Sequence, residues 1–366
     1  MNGPAFSGCL AGASFAFRTD APDLARYAGV HLAPLAAEPA PAPAVSTVLR
    51  WHEGQPPKQR PVGPQVDRLD RDLYATTDTL SWFRVDDLRD LYLHFTWREG
   101  RLSVEGDFYF RLGHGQLRDR MRRLLAWRDL RRRRFTTLLY YLVYYPCWWW
   151  LEQTQDLHPI HAAGVLTDAG VTLLAGASGV GKSSLAVALG AAPGARLLSD
   201  SFVVQRAADV YAVPEPVLLD AWSRQWLGSE MDALQAIAWQ YGLGRGGYHV
   251  PSARRADEGR AALLVFPRRS TETYLRPVTA ERAHQRLSAV DLIINDLRRY
   301  WAFAAVLEQL VPGGLVARRE AHLAKLVNAV PCYEMGLRPD VTSRVAVEFV
   351  MRLLQDTPVR IARARS

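Results

Sequence analysis

The 366-residue sequence predicts an α/β protein in three parts: a small, mainly β N-terminal domain at 1–112, a basic helical and aromatic connector at 113–152, and an α/β domain with a central mixed sheet at 153–366. Three observations predict this. Short alternating apolar runs fill the first third of the chain without a helix-length period. From about 153 onward, apolar strand-length runs alternate with helical periodicity. At 171–190 an apolar run, VTLLA, passes through the turn GASGVGKS into the helix-forming SSLAVALG.

The N-terminal strands are read at 13–18, 46–51, 80–85, 91–97 and 102–110, with Glu99-Gly100 at a hairpin turn between the last two. Between the first runs lie AAEPAPAPAV and EGQPPKQRPVGP. Proline lacks the backbone donor that a helix or central strand needs, so both read as loops.

In the connector, Leu117, Met121, Leu124 and Leu125 fall on one helical face, with Arg118, Arg122 and Arg123 off it. Residues 111–134 hold ten Arg and two Asp, a net charge of +8, equal to the formal charge of the whole chain. The last eight residues add +3, so the remainder is slightly acidic. Such a block invites a polyanion partner, but no aromatic residues interleave its core and no RNA- or DNA-binding signature accompanies it, which argues against nucleic acid. The run LLYYLVYYPCWWWL at 138–151 follows. It is shorter than the roughly 20 residues of a spanning helix. Three consecutive Trp cannot share one face of a helix or strand, so part of the run is expected at a domain or subunit interface.

In the third part, strands are expected at 171–175, 197–204 and 261–266, and helices at 183–190, 230–240, 279–289, 291–309, 318–329 and 341–355. The composition, 49% hydrophobic and 22% charged, excludes a disordered or collagen-like chain. Three Cys without ligand spacing exclude a disulfide framework or zinc cluster. The first charge is Arg18, so no basic segment precedes an apolar signal core. The expectation is a cytoplasmic protein without a transmembrane segment.

GASGVGKS fits the phosphate-binding pattern G-x-x-x-x-G-K-[ST], with Gly176, Gly181, Lys182 and Ser183 in the fixed positions. Gly176, Gly179 and Gly181 let the backbone turn so that the N–H groups from Ser178 through Val180 to Ser184 point at phosphate oxygens. The following helix adds its dipole. Lys182 reaches the β- and γ-phosphates, and Ser183 offers a hydroxyl to Mg²⁺. Lys occurs only three times in the chain, against 42 Arg, and one falls here. ATP and Mg²⁺ are therefore the expected ligands. The chain has no NKxD for guanine and no LSGGQ of a transport ATPase, and the strand AALLVF ends in Pro267, not in an acid. The nearest carboxylate is Asp200, 18 residues beyond Lys182 at the end of ARLLSDSFVV, placed to hold Mg²⁺ or accept a proton.

These residues resemble the HPr kinase/phosphorylase family, in the segment IHAAGVLTDAGVTLLAGASGVGKSSLAVALG…ARLLSDSFVV. His161 precedes Gly176 by 15 residues, as in that family, and Ser199-Asp200-Ser201 stands where the family has Ala-Asp-Asp. VFPRR at 265–269, LRPVTA at 275–280 and VPCYEM at 330–335 look like the broader HPr-kinase-related group found beside peptide-modifying clusters. The resemblance implies a P-loop kinase fold, with Asp200 as base and metal neighbour and His161 orienting it or contacting the transferred phosphate. The resemblance also implies a homo-oligomer, as is usual in that family. Ser201 replaces the second family aspartate, and the family's E-x-R-G segment is not found, which argues against HPr itself as acceptor and against a reverse phosphorolysis.

The expected activity is transfer of the ATP γ-phosphate to a Ser or Thr hydroxyl of a peptide, protein or small molecule. The competing readings are a nucleotide-sensing regulator without catalysis and a nucleic-acid-binding NTPase. Arg245, in a stretch read as a Gly-rich loop, YGLGRGGYH at 241–249, and Arg268, after the 261–266 strand, are candidate substrate contacts.

Overall fold

The structure, a computed structural model, describes residues 5–57, 66–85, 88–110, 127–241 and 244–356. The chain is mixed α/β and divides into two compact units: Met1–Asp156 with Arg298–Val316, and Leu157–Leu297 with Ala317–Ser366.

The first unit carries an eight-stranded sheet in the order β1-β2-β3-β8-β7-β6-β5-β4. Its strands are β1 (Ala5–Leu10), β2 (Ala13–Thr19), β3 (Val45–Glu53), β4 (Asp67–Asp70), β5 (Leu73–Ala75), β6 (Thr79–Trp82), β7 (Leu91–Arg98) and β8 (Arg101–Phe110). Helix α1 (Pro22–His31) connects β2 towards the parallel β3. The β7–β8 hairpin turns on Glu99 and Gly100, both at positive φ, which matches the twist of the flanking strands. Alternate residues of β8 are buried, as one covered face requires.

A long helical run follows, formed by α2 (Trp127–Leu139), a π-helical turn at Tyr140–Tyr144 and α3 (Tyr145–Thr154). The expected amphipathic Arg helix at 117–125 lies outside the described residues. Trp148 and Trp149 are fully buried in the core of this unit. Trp148 meets Tyr300 edge-on at 5.4 Å and Trp149 meets Trp97 at 5.1 Å. Trp150, on the third direction, is half-buried and donates its Nε1–H to the Gly100 carbonyl at 2.8 Å. A sheet on one side and the 298–316 segment on another give a consecutive Trp pair two apolar surfaces to cover.

The second unit is built on a nine-stranded mixed sheet. Its strands are β9 (His158–Ile160), β10 (Ala162–Thr167), β11 (Gly170–Ala175), β12 (Arg196–Ser199), β13 (Val203–Arg206), β14 (Asp209–Ala212), β18 (Glu258–Arg269), β19 (Tyr274–Val278) and β20 (Cys332–Leu337). β11, β18 and β20 run parallel, and β12 shares their direction because both it and β11 are antiparallel to β10. Leu173, Leu264 and Phe266 pack on one face with Leu287 of α6 (Ala280–Ile293) and Leu323 of α8 (Leu315–Ala329). Leu174, Leu263 and Val265 pack on the other with Leu185 of α4 (Lys182–Gly190) and Val350 of α9 (Ser343–Asp356). The two sets are the odd and even positions of buried strands, the pattern of a sheet covered on both faces. Helix α7 (Asn295–Leu307) follows α6 after a break at Ile294, and from Arg298 onward its residues belong to the first unit.

Two expectations are corrected here. The helix read at 230–240 is instead a 3₁₀ turn at Gly228–Ala233 and a strand, β16 (Gln235–Tyr241). The Gly-rich stretch read as a loop around Arg245 forms β17 (Arg245–His249). With β15 (Val217–Leu219) they make a three-stranded sheet in the order β15-β17-β16. Helix propensity yields there because β17 offers a strand edge to pair with, and pairing outweighs local preference. No helix among the described residues is long and apolar enough to cross a membrane.

Candidate functional site

The topology of the second unit brings the sequence-selected residues to one edge. The carboxyl ends of the parallel strands β12, β11, β18 and β20 lead to Asp200, the Gly-rich turn, Arg268-Arg269 and Arg338 respectively. β10 runs the other way, so its first residue, Ala162, pairs with Ala175 and puts His161 at the same edge. Ligands of open α/β sheets bind outside such carboxyl ends.

The turn from β11 to α4 has Gly176, Gly179 and Gly181 at φ +150°, +83° and +97°. A side chain at Gly181 would meet nothing within 4 Å, so the requirement there is backbone conformation and not space. Ser178 and Gly179 are exposed, and Val180 and Ser183 are half-buried. Lys182 and Ser184 are buried. The tip of the turn is therefore open to solvent, and α4 starts directly after it.

Lys182 folds back over this turn. Its Nζ donates to the carbonyls of Gly176 at 2.8 Å and Ala177 at 3.0 Å. Burial pushes the Lys182 ammonium down to about 8, against the opposing pull of Asp200. Asp200 is only 5% exposed. Burial pushes its carboxyl up to about 6, against the Ser201 and Ser183 hydroxyls and the charge of Lys182. Its Oδ1 is buried without a hydrogen-bond partner. An orphaned carboxylate oxygen next to the Ser183 hydroxyl is the donor set a hard divalent cation takes, so these two residues fit Mg²⁺. His161 is buried against the Phe202 ring at 5.0 Å. Burial first, and Lys182 second, push its imidazole down to about 3, so it is neutral at pH 7. Neutral imidazole is one donor and one acceptor, suited to orienting a group and not to neutralising charge.

Arg268 and Arg245 do not stand together. Arg268 lies 3.6 Å from Glu334, in a cluster with Arg276, Arg282 and Arg286. Tyr274 donates to Glu334 at 2.6 Å, and Arg286 also bonds it. Against the upward push of burial, Tyr274 and Arg286 hold that carboxyl below its usual range. One carboxylate among four guanidinium groups leaves the cluster positive. Arg245 is on β17, where its charge acts on Asp220, the residue capping α5 (Ala221–Leu227).

Sequence reading missed three features of this unit. The first is a cleft of about 360 Å³ beside the turn, lined by Gly181, Ser184, Trp222, Trp226, Arg269 and Arg338 among others. The second is the alternation of Arg268 and Arg269 to opposite sheet faces. The third is a buried ion pair, Arg319 to Asp291 at 3.0 Å. The i, i+4 spacing of Trp222 and Trp226 was the one available signal for the cleft.

No family model matches the chain, and no curated protein matches it.

Proposed function

We propose that the protein is an ATP-dependent phosphotransferase of HPr-kinase-like type, which moves the γ-phosphate of ATP to a hydroxyl of a peptide, protein or small molecule. The observation that carries this reading is the convergence of Lys182, Ser183 and the buried Asp200 on one glycine-rich turn at the carboxyl edge of the sheet. The turn amides and the α4 N-terminus hold the phosphates. Lys182 leaves the Gly176 and Ala177 carbonyls to meet phosphate oxygens. Ser183 and Asp200 would hold Mg²⁺, which supplies neutralisation of the phosphate charge when bound. Asp200 takes the proton of the acceptor hydroxyl as its oxygen bonds to the γ-phosphorus. The bond from that phosphorus to the β–γ bridging oxygen breaks, and ADP leaves. His161, neutral and beside this centre, orients the reacting groups. The positive cluster at Arg268 suits an acceptor carrying an anionic group.

A second reading, a nucleotide sensor without transfer, is favoured by Ser201, which supplies a hydroxyl where a second carboxylate would bind metal. The deciding experiment is ADP release from labelled ATP with and without hydroxyl acceptors. Acceptor-dependent release that Asp200→Asn abolishes supports the transferase. Nucleotide binding without release under any acceptor supports the sensor.

A further inference from the structure

The phosphotransferase reading leaves the cleft beside α4 without a role. It lies wholly in the second unit, between the first turn of α4 and α5. Consecutive residues of a helix point about 100° apart. Here that divergence separates two sides of one phosphate site: Ser183 lies beside Asp200, and Ser184 lines the cleft with Gly181 and Leu185. Lys182 and Ser183 serve the β- and γ-phosphates in a turn of this pattern, so the side away from Asp200 is the nucleoside end.

The chemistry of the cleft agrees. Trp222 and Trp226 stack at 6.1 Å with ring planes 16° apart. Trp222 is 48% exposed, unusual for so large an apolar side chain, and its ring is open to the cleft. Arg269 stands over that ring at 5.7 Å. The Nε1–H of Trp226 is engaged by the Val341 carbonyl at 2.7 Å, which holds the second ring in place. No carboxylate is among the residues lining the cleft. An aromatic face, a planar cation above it and apolar walls favour a flat, electron-rich heterocycle.

Resting on the phosphotransferase reading, we propose that this cleft takes the base of the nucleotide, stacked on Trp222 and flanked by the Arg269 guanidinium. Base stacking on an aromatic side chain changes affinity by about tenfold or more when the ring is removed.

The test is calorimetric titration of the full chain with MgATP and with magnesium tripolyphosphate, which has the phosphates and no base. Trp222→Ala should weaken ATP about tenfold or more and leave tripolyphosphate within twofold, and Trp222→Phe should restore most of the ATP affinity. Unchanged ATP affinity in Trp222→Ala, or an equal loss for both ligands, overturns the base assignment while the phosphate site stands. Failure of the wild-type chain to bind either ligand overturns the phosphate site and the base assignment together.

Discussion

The Lys182 ammonium donates to the carbonyl of Gly176 at 2.8 Å, so the lysine closes the very turn it belongs to. The arrangement satisfies a buried cation with backbone oxygens. At the proposed phosphate site it would also be a charge held ready, because phosphate oxygens are stronger partners than neutral carbonyls. Lys182→Ala should therefore lose a charge-assisted contact of about 1.5–3 kcal/mol, roughly a tenfold to hundredfold weaker affinity for MgATP. Titration calorimetry measures this directly. An affinity unchanged by the substitution would remove Lys182 from the phosphate site.

In the proposed transferase, Asp200 would tie stability to function with opposite signs. Its carboxyl titrates near 6 in the native protein, against 3.8 for the ordinary group, because burial disfavours the charge. The native state thus binds the proton more tightly than the unfolded chain. That contribution is complete below about pH 3.8 and is lost as pH rises through about 6. Above that, the ionised carboxylate costs about 3 kcal/mol, taking 1.36 kcal/mol per pH unit. Asp200→Asn should raise the urea midpoint at pH 8, by about 1–3 kcal/mol of stability, with little gain at pH 4. The same substitution should abolish transfer, and wild-type transfer should rise with pH through the region of pH 6. A variant that gains nothing at pH 8 would show that the carboxylate is not under strain.

How much of this was legible in the sequence depends on how local each cause is. The glycine positions, Lys182 and Ser183 were readable because the turn dictates their types one by one, and Gly176, Gly179 and Gly181 do take positive φ. Asp200 was readable as the nearest acid after a strand. His161 was found only through its spacing to Gly176, since nothing in a lone histidine announces the edge it occupies. The Trp222–Trp226 pair was not legible as a cleft wall, because its meaning depends on α5 lying against α4. The strand at 235–241 was misread since its Ala and Leu neighbours suit a helix, and the β17 edge that captures it is made by residues further along the chain. The packing of Trp148 on Tyr300 was not legible, because nothing local signals that a segment about 150 residues further on comes back to cover it.

The Arg319–Asp291 pair offers a test of what holds the second unit together. Asp291 is fully buried and Arg319 is 7% exposed, with Nε and Nη2 of the guanidinium both on Oδ2, at 3.3 and 3.0 Å. Burial pushes the Asp291 carboxyl up to about 6 even with that partner. Arg319→Met would leave a buried carboxylate unpaired, at a cost of about 3–5 kcal/mol. Adding Asp291→Leu should recover much of it, because two apolar side chains need no desolvation. Urea unfolding of the two single variants and the double variant measures the coupling. Independent, additive losses would mean that the pair is not a unit.

Gly181 separates conformational cost from binding. It stands at φ +97° immediately before α4, and a methyl group there would touch nothing within 4 Å. Gly181→Ala therefore adds no clash. It asks an L-residue to hold a left-handed backbone, which costs about 1–2 kcal/mol. Gly194, at φ +75° between α4 and β12, poses the same demand at the opposite end of β12, with only an ordinary 3.8 Å contact to Asp168. Both alanine variants should lose similar stability on urea unfolding. Only Gly181→Ala should also weaken MgATP, by about tenfold or more, because relaxing towards negative φ swings the adjacent amides away from the phosphate. Equal affinities in the two variants would show that the turn amides do not hold the nucleotide. The pairing of variants makes that conclusion independent of how much either one destabilises the fold.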